Sequence, residues 1–377
     1  MKSLKKLFIL IFSSILCFIM VSCSSSGSKE ISLASANPMT GDSAQFGDMK
    51  VKAMNIAIDE VNAKGGIKGK KVKLLVGDDT GNPKEAPNVA QKFTSDDNIL
   101  GLIGHWNTAC TLAARGIYES AGLPVITDIV NKAISDGTTP HVYRISLSDS
   151  QQAIQLAKYA YNQMGKKKVA IIHSANDYGT NLTSEFSKEL KKLGGEVVAT
   201  EMYFEGQSKD FSPQITKIKT KNPDLVFVAG YYVETALIAQ QSKSLGLNVQ
   251  MIGTEGISSE ELIKLGGESV EGIVFAGFFH PDIEFNGTKE FVKKFRDKYG
   301  KDPDTYAALA YDSAKLMIKA IEEKGETRDG VKEYFDNVKE FPGVAGPITF
   351  KNNEVARKIL ILTVKDGKIV PVEKQIQ

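Results

Sequence analysis

One stretch constrains this chain more than any other, because it occurs twice. Residues 98–131, NILGLIGHWNTACTLAARGIYESAGLPVITDIVN, read as strand, loop, helix and strand. Ile99 to Ile103 is a short, wholly apolar run, the pattern of a parallel strand covered on both faces. Gly104 ends it, and Ala109, Leu112, Ala113, Gly116 and Ile117 then recur at helical spacing until Gly122 and Pro124 stop the helix. Pro124 to Thr127 is the next strand, with Asp128 where it leaves the sheet. Thr108 stands at the helix start, where a hydroxyl can cap its own helix or join the free N–H groups in holding an anion.

The second copy begins at Asp224. DLVFVAG ends in Gly230, Tyr231-Tyr232 follows, a helix carries Thr235, Ala236, Ile238 and Ala239, and a further strand runs out at Ile252-Gly253-Thr254-Glu255. Each copy thus sets aromatic and hydroxyl groups after one strand, and Thr-Asp or Thr-Glu after the next. Ligands of open parallel sheets bind beyond the carboxyl ends of the strands. Two such half-sites facing each other would enclose a small polar molecule.

The rest of the chain repeats the alternation. Strands are expected at 30–36, 72–76 and 142–145, and helices at 51–61 and from Pro83 onward. From Asp149 the rhythm restarts, with a helix over 150–164, a strand over 169–173, a helix over 177–193 and a strand over 197–203. Ser35-Ala36-Asn37 is echoed by Ser174-Ala175-Asn176, and Phe46-Gly47 by Tyr178-Gly179. With 377 residues, the pattern is that of two similar α/β domains, each a doubly wound parallel sheet. A helical block (286–298, 306–324, 328–335) and β segments at 348–350, 359–364 and 368–372 follow, with a turn at Lys365-Asp366-Gly367-Lys368, so the chain crosses between domains more than once.

The first residues stand apart from this fold. Met1 to Lys6 is basic, Leu7 to Met20 is apolar, and Val21-Ser22-Cys23 precedes the polar run Ser24 to Ser28. This is a secretory signal peptide, too short for a membrane-spanning helix. Its ending resembles a bacterial lipobox, with Met20 where Leu is usual, which makes Cys23 the lipidated mature N-terminus on a flexible tether. Cys110 is then the one cysteine of the mature fold, a small core residue with no disulfide partner. A formal net charge of +2 with scattered lysines gives no reason to expect nucleic acid.

With these pieces placed, the sequence resembles the leucine/isoleucine/valine-binding family of extracellular solute receptors for ABC transporters. The ordered markers are NPMTGDSAQFGD (37–48), AIDEVNAKGGIKGKKVKL (57–74), IGHWNT (103–108), DYG (177–179), PDLVFVAGY (223–231), GTEG (253–256) and GPITF (346–350). The resemblance implies a type I periplasmic-binding clamshell, two lobes joined by a three-segment hinge. The crossings are expected near Leu147-Ser148, Gly277-Phe278 and Val344–Gly346. The division is then signal peptide 1–22, lipidated tether 23–29, an N-terminal lobe of 30–147 and 279–343, and a C-terminal lobe of 148–278 and 344–377. It further implies a carboxylate anchor at Thr108, an ammonium partner at Glu255 and a backbone acceptor at Ile129. Tyr178 and Tyr231 would close over the amino acid, with Phe46 and Trp106 as pocket walls. Asn131 replaces a second hydroxyl of the family pattern, and Trp106 replaces a smaller aliphatic, reshaping the side-chain pocket. Asn107, also expected in the site, and Gly81 stand where some members carry a cysteine pair.

The expected function is capture of a small neutral amino acid, branched-chain or other, for delivery to the membrane permease of an ABC importer. The protein would be extracytoplasmic, membrane-anchored and monomeric, with no cofactor and no metal. A receptor for another carboxylate or amide, or a sensor subunit, is the alternative. An enzyme is disfavoured: the four histidines form no HExxH motif, and GxSxG and P-loop patterns are absent, leaving His105 as the one candidate base. A transcriptional regulator would need a helix-turn-helix where the leader stands. Cys23→Ala should release the protein from membranes, read by fractionation in high salt; a variant that stays bound would overturn the lipid anchor.

Overall fold

The computed structural model describes residues 30–41, 43–131, 138–283, 285–373 and 375. The leader, with Cys23 and Cys17, lies outside the described residues.

Five parallel strands open the fold: β1 (Glu30–Asn37), β2 (Lys71–Asp78), β3 (Ile99–Gly104), β4 (Val125–Thr127) and β5 (Val142–Arg144). The crossovers include α1 (Ala44–Ala63), α2 (Ala86–Thr94) and α3 (Thr108–Ser120), and the strand order is β2-β1-β3-β4-β5. After α4 (Asp149–Lys158), which continues as one π turn to Gln163, the pattern repeats. Strands β6 (Lys168–Ser174), β7 (Glu196–Tyr203), β8 (Leu225–Ala229), β9 (Gln250–Gly253) and β10 (Val274–Gly277) take the order β7-β6-β8-β9-β10. Their helices are α5 (Asp177–Leu193), α6 (Ser212–Lys219), α7 (Tyr232–Ser244) and α8 (Glu260–Gly266). The wholly apolar runs are the central strands: every residue of β3 and β8 is buried, with helices on both faces.

The order matters more than the strand count. In each sheet the chain moves to one side of the first strand and then to the other, so connections diverge between β1 and β3 and between β6 and β8. That switch point leaves a crevice at the carboxyl ends of the strands. The loops and first helical turns bordering it carry Phe46 and Trp106 in one lobe, and Tyr178 and Tyr231 in the other.

The chain then returns to the first lobe. Helices α9 (Thr288–Tyr299), α10 (Thr305–Lys324) and α11 (Arg328–Asn337) pack against α1 and β3. The short strands β11 (Phe350–Lys351) and β12 (Glu354–Val355) extend the first sheet beyond β5, and β13 (Leu360–Lys365) and β14 (Lys368–Pro371) extend the second beyond β10. The third crossing therefore lies between Val355 and Leu360, and the expected crossing at 344–346 is corrected. Glu354 pairs in register with Arg144, and its carboxylate meets that buried guanidinium across 210 residues of sequence. Nothing local in the sequence announces such a pairing. Two smaller expectations also shift. The helix expected from Pro83 begins at Ala86, and α9 begins only at Thr288, after Gly287 with φ +85°. The Asp366-Gly367 turn holds, with φ +52° and +67°, as a two-residue type I′ hairpin requires.

The first and third crossings are tied together by one partly buried cluster. Arg357, on the third, donates to Ile145 O (2.7 Å) on the first and to Ala345 O (3.0 Å). Gln155 of α4 accepts from Ile359 N (3.0 Å) and donates to Arg357 O (3.3 Å). Asp312 of α10 accepts from Val344 N (2.7 Å) and Ala345 N (3.0 Å). Burial pushes the Asp312 carboxyl up to about 6, against the pull of those two N–H groups and of Arg357 and Lys315. Because this value exceeds the ordinary 3.8, ionised Asp312 penalises the native state. Stability from this group is greatest below about pH 4 and falls as pH rises through about 6. Relative to Asp312→Asn, the wild type should thus lose about 1–3 kcal/mol between pH 4 and pH 7, read by urea unfolding at each pH. Parallel profiles for the two proteins would contradict it.

Candidate functional site

The second lobe supplies the charge. Thr254-Glu255 follows β9, and Tyr178 stands in the first turn of α5, beyond β6. The Tyr178 hydroxyl lies 2.9 Å from both Thr254 Oγ1 and Glu255 Oε2. Gln152 of α4, fully buried, accepts from the Glu255 backbone N–H at 2.7 Å. Burial raises the Glu255 carboxyl above its usual range, against the hydrogen bonds from Gln152 and Tyr178. Among the described residues Glu255 makes no ion pair with any lysine, arginine or histidine. Tyr231 stacks on Tyr178 with ring centroids 5.3 Å apart, so the two phenols form one wall.

The first lobe supplies an aromatic face and a helix terminus. Phe46 and Trp106 stack at 4.4 Å, nearly parallel, and Tyr306 at the start of α10 meets both edge-on, at 5.2 and 6.4 Å. Burial raises the Tyr306 hydroxyl well above its ordinary range, and the charges of Asp128 and then Glu255 add to it. Tyr306 of the first lobe therefore lies within electrostatic reach of Glu255 in the second.

Glycines make both aromatic positions possible. A Cβ on Gly47 would fall 2.0 Å from Pro38 O, and one on Gly179 would fall 2.3 Å from Ser174 O. Both helices thus start directly against the end of their strand, which is why each lobe carries an aromatic-Gly pair there.

Thr108 is not the N-cap that its position suggested. Asn107 caps α3, accepting from Cys110 N at 2.8 Å, and its amide donates to Gly81 O at 2.9 Å. A hydrogen bond thus bridges the two positions where a cysteine pair was noted as absent, and both polar ends of Asn107 are engaged inside the lobe. Thr108 is the first helical residue, half-buried, with the N-terminal N–H groups of α3 around it. Ile129 O accepts from Ser146 Oγ at 2.8 Å and, as a carbonyl, keeps a second lone pair. Asn131 is half-buried, its carbonyl held by Arg144 Nη1 at 2.6 Å.

His105, the one candidate base, is fully buried and engaged at both ring nitrogens: Nδ1 lies 2.5 Å from Asp79 Oδ2 and Nε2 lies 2.8 Å from Tyr118 Oη. Sequence reasoning missed Tyr306 and Gln152. Tyr306 enters from a helix nearly two hundred residues after Trp106 in the chain, and Gln152 looks like any polar helical residue. Among the described residues, no group of three His, Cys, Asp or Glu side chains could hold a metal ion.

Residues 30–368 match the family described as periplasmic binding protein. A Leu/Ile/Val-binding protein homolog of Brucella abortus is 34% identical over 293 residues, covering 76% of this chain and 77% of that one. An amino acid binding protein of Pseudomonas aeruginosa is 30% identical over 78% of this chain and 79% of its own. Among solved structures, a leucine binding protein from Thermotoga maritima superposes with a TM-score of 0.78 at 30% identity, covering 91% of this chain and 97% of that one. A branched-chain amino acid transporter substrate binding protein from Streptococcus pneumoniae, in complex with isoleucine, gives 0.78 at 27% identity, with 90% and 97% covered.

The capping assignment has a direct consequence. Asn107→Ala should cost about 0.5–2 kcal/mol of stability, while Thr108→Ala should cost much less, both read from urea midpoints. Equal losses would return the capping role to Thr108.

Proposed function

We propose that this chain, which belongs to the periplasmic binding protein family, captures a neutral α-amino acid between its lobes outside the cytoplasm and hands it to the permease of an ABC importer. One observation carries the ligand class: a half-buried carboxylate, Glu255, held by Tyr178 and paired with no cation among the described residues. An α-amino acid is a zwitterion whose ammonium would complete that pair, and the charge-assisted bond is strong in so enclosed a place. Its carboxylate goes to the N-terminus of α3, where the Thr108 hydroxyl and free N–H groups meet it. Ile129 O offers the ammonium a second acceptor, and Asn131 supplies a donor near the carboxylate. Tyr178 and Tyr231 close from the second lobe onto Phe46 and Trp106 of the first, with Asn107 fixing the loop that carries Trp106. The names of the relatives, Leu/Ile/Val-binding and amino acid binding, support the same class.

Each lobe holds half of the site, so ligand favours the closed arrangement, and the three crossings are where the movement is absorbed. Cys23, as an acylated N-terminus, would keep the receptor at the membrane beside its permease, with a monomer sufficient for delivery.

Calorimetric titration with leucine, alanine and a deaminated analogue tests the assignment. Glu255→Gln should weaken the amino acids by about 2–5 kcal/mol while sparing the analogue, because only the ammonium loses its partner. Thr108→Ala should weaken both kinds of ligand by about 1–3 kcal/mol. Trp106→Leu should shift preference towards larger side chains. Equal losses for amino acid and analogue in Glu255→Gln would remove the amino-acid reading.

A further inference from the structure

Glu255 opens a single turn of 3-10 helix (Glu255–Ile257) after β9, and Thr254, the residue before it, gives that turn no side-chain cap. The Thr254 hydroxyl is engaged elsewhere: it donates to Gly230 O at 3.2 Å and lies 2.9 Å from Tyr178 Oη. The first N–H groups of a helical turn have no acceptor within it. Here the first of them is that of Glu255 itself, and Gln152 Oε1 takes it at 2.7 Å, from 103 residues away in sequence. Gln152 is 0% exposed. Its Nε2 is sealed from water and completes no hydrogen bond among the described residues, although the amide is among the groups that draw the Glu255 carboxyl down against burial. The helix that carries it, α4, is fixed at its start by a capping box: Ser148 Oγ accepts from Gln151 N at 3.1 Å, and Gln151 Oε1 from Ser148 N at 3.3 Å. It packs along α5, whose first turn carries Tyr178. One helix pair thus holds Glu255 twice, by its backbone through Gln152 and by its carboxylate through Tyr178.

We propose that Gln152 is a positioning residue of the amino-acid site: by holding the Glu255 N–H, its carbonyl aims the Glu255 carboxylate at the ligand's ammonium. Preference for a ligand that bears an amine then depends on Gln152, which acts through Glu255 and not on the ligand. This rests on the amino-acid reading above and deepens it. Two physical points carry it. A buried amide with one half unsatisfied is costly, and an apolar side chain of the same length would fill the place without that cost, so packing does not account for a glutamine. The turn has no cap of its own, so without Gln152 Oε1 the N–H set free belongs to the very residue that is to meet the ammonium. A charge-assisted bond is strong when its geometry is defined before the ligand arrives. Tyr178 alone fixes one carboxylate oxygen and leaves the backbone behind it to move.

Calorimetric titration of leucine, alanine and isocaproate, which is leucine without its amine, reads this in the wild type, Gln152→Met, Glu255→Gln and the double variant. Gln152→Met keeps the length of the side chain and removes the amide. It should weaken the better-bound amino acid about tenfold, and isocaproate less than about twofold. On the Glu255→Gln background the same substitution should add less than about twofold, because its effect runs through that carboxylate. Gln152→Asn, whose carbonyl falls one methylene short of the N–H, gives the same comparison if Gln152→Met does not melt cooperatively. Equal losses for amino acid and isocaproate overturn the proposal, and so does a full further loss on the Glu255→Gln background. If the wild type prefers leucine to isocaproate and Gln152→Met keeps that preference, this proposal fails while the amino-acid reading stands. Binding of neither leucine nor alanine to the wild type would instead remove the underlying reading, and this proposal with it.

Discussion

The proposed site depends on a single electrostatic circumstance, a half-buried carboxylate that no cation among the described residues meets. Ionised groups leave water at a cost of several kcal/mol unless hydrogen bonds and an opposite charge receive them. For Glu255 the hydrogen bonds are present, from the Tyr178 hydroxyl at 2.9 Å and with Gln152 fixing the backbone at 2.7 Å. No lysine, arginine or histidine among the described residues supplies the opposite charge. Burial accordingly lifts this carboxyl above its ordinary range, and a bound ammonium would bring it down again. The stacked phenols, the buried glutamine and the short strand β9 hold that charge in a defined place before any ligand arrives, which is the condition for selective binding.

The first lobe handles its polar groups differently. His105 is paired at both ring nitrogens, Asn107 at both ends of its amide, and Arg144 with the carbonyl of Asn131 and the carboxylate of Glu354. These contacts are internal and rigidify the loops after β3 and β4. The helix terminus at Thr108 and the aromatic face of Phe46, Trp106 and Tyr306 stay half-buried instead. Under the proposed function, donors on one lobe and a charge on the other would make ligand the link between them. Arg357 and Gln155 bind the first and third crossings to each other.

Much of this was legible in the amino acids because it rests on local pattern. Apolar runs of β3 and β8 can only be strands covered on both faces, and the helical periodicity between them dictates parallel crossovers. Repetition of that unit fixes two α/β lobes, and the residues just past each strand end, Trp106 to Thr108, Tyr178, Tyr231 and Glu255, are then the ones a cleft can use. The Asp366-Gly367 turn was equally local, since only a few residues tolerate two successive positive φ angles.

Tertiary structure decided whatever depends on partners distant in sequence. Whether Thr108 or Asn107 caps α3 turned on an amide that also reaches Gly81, and a hydroxyl and an amide look alike to a capping rule. The third crossing moved beyond Val355 because Glu354 finds Arg144 across the first sheet, a pairing no periodicity encodes. Tyr306 joins the aromatic face only because the chain returns to the first lobe after β10, and Asp128 differs from a surface acid only because Lys50 buries against it. Sequence by itself determined the strands, helices and chemical types available at the strand ends, for those follow from neighbours along the chain. Only the folded chain decided which of those groups are already satisfied and which remain open to a ligand, because satisfaction is a property of three-dimensional partners.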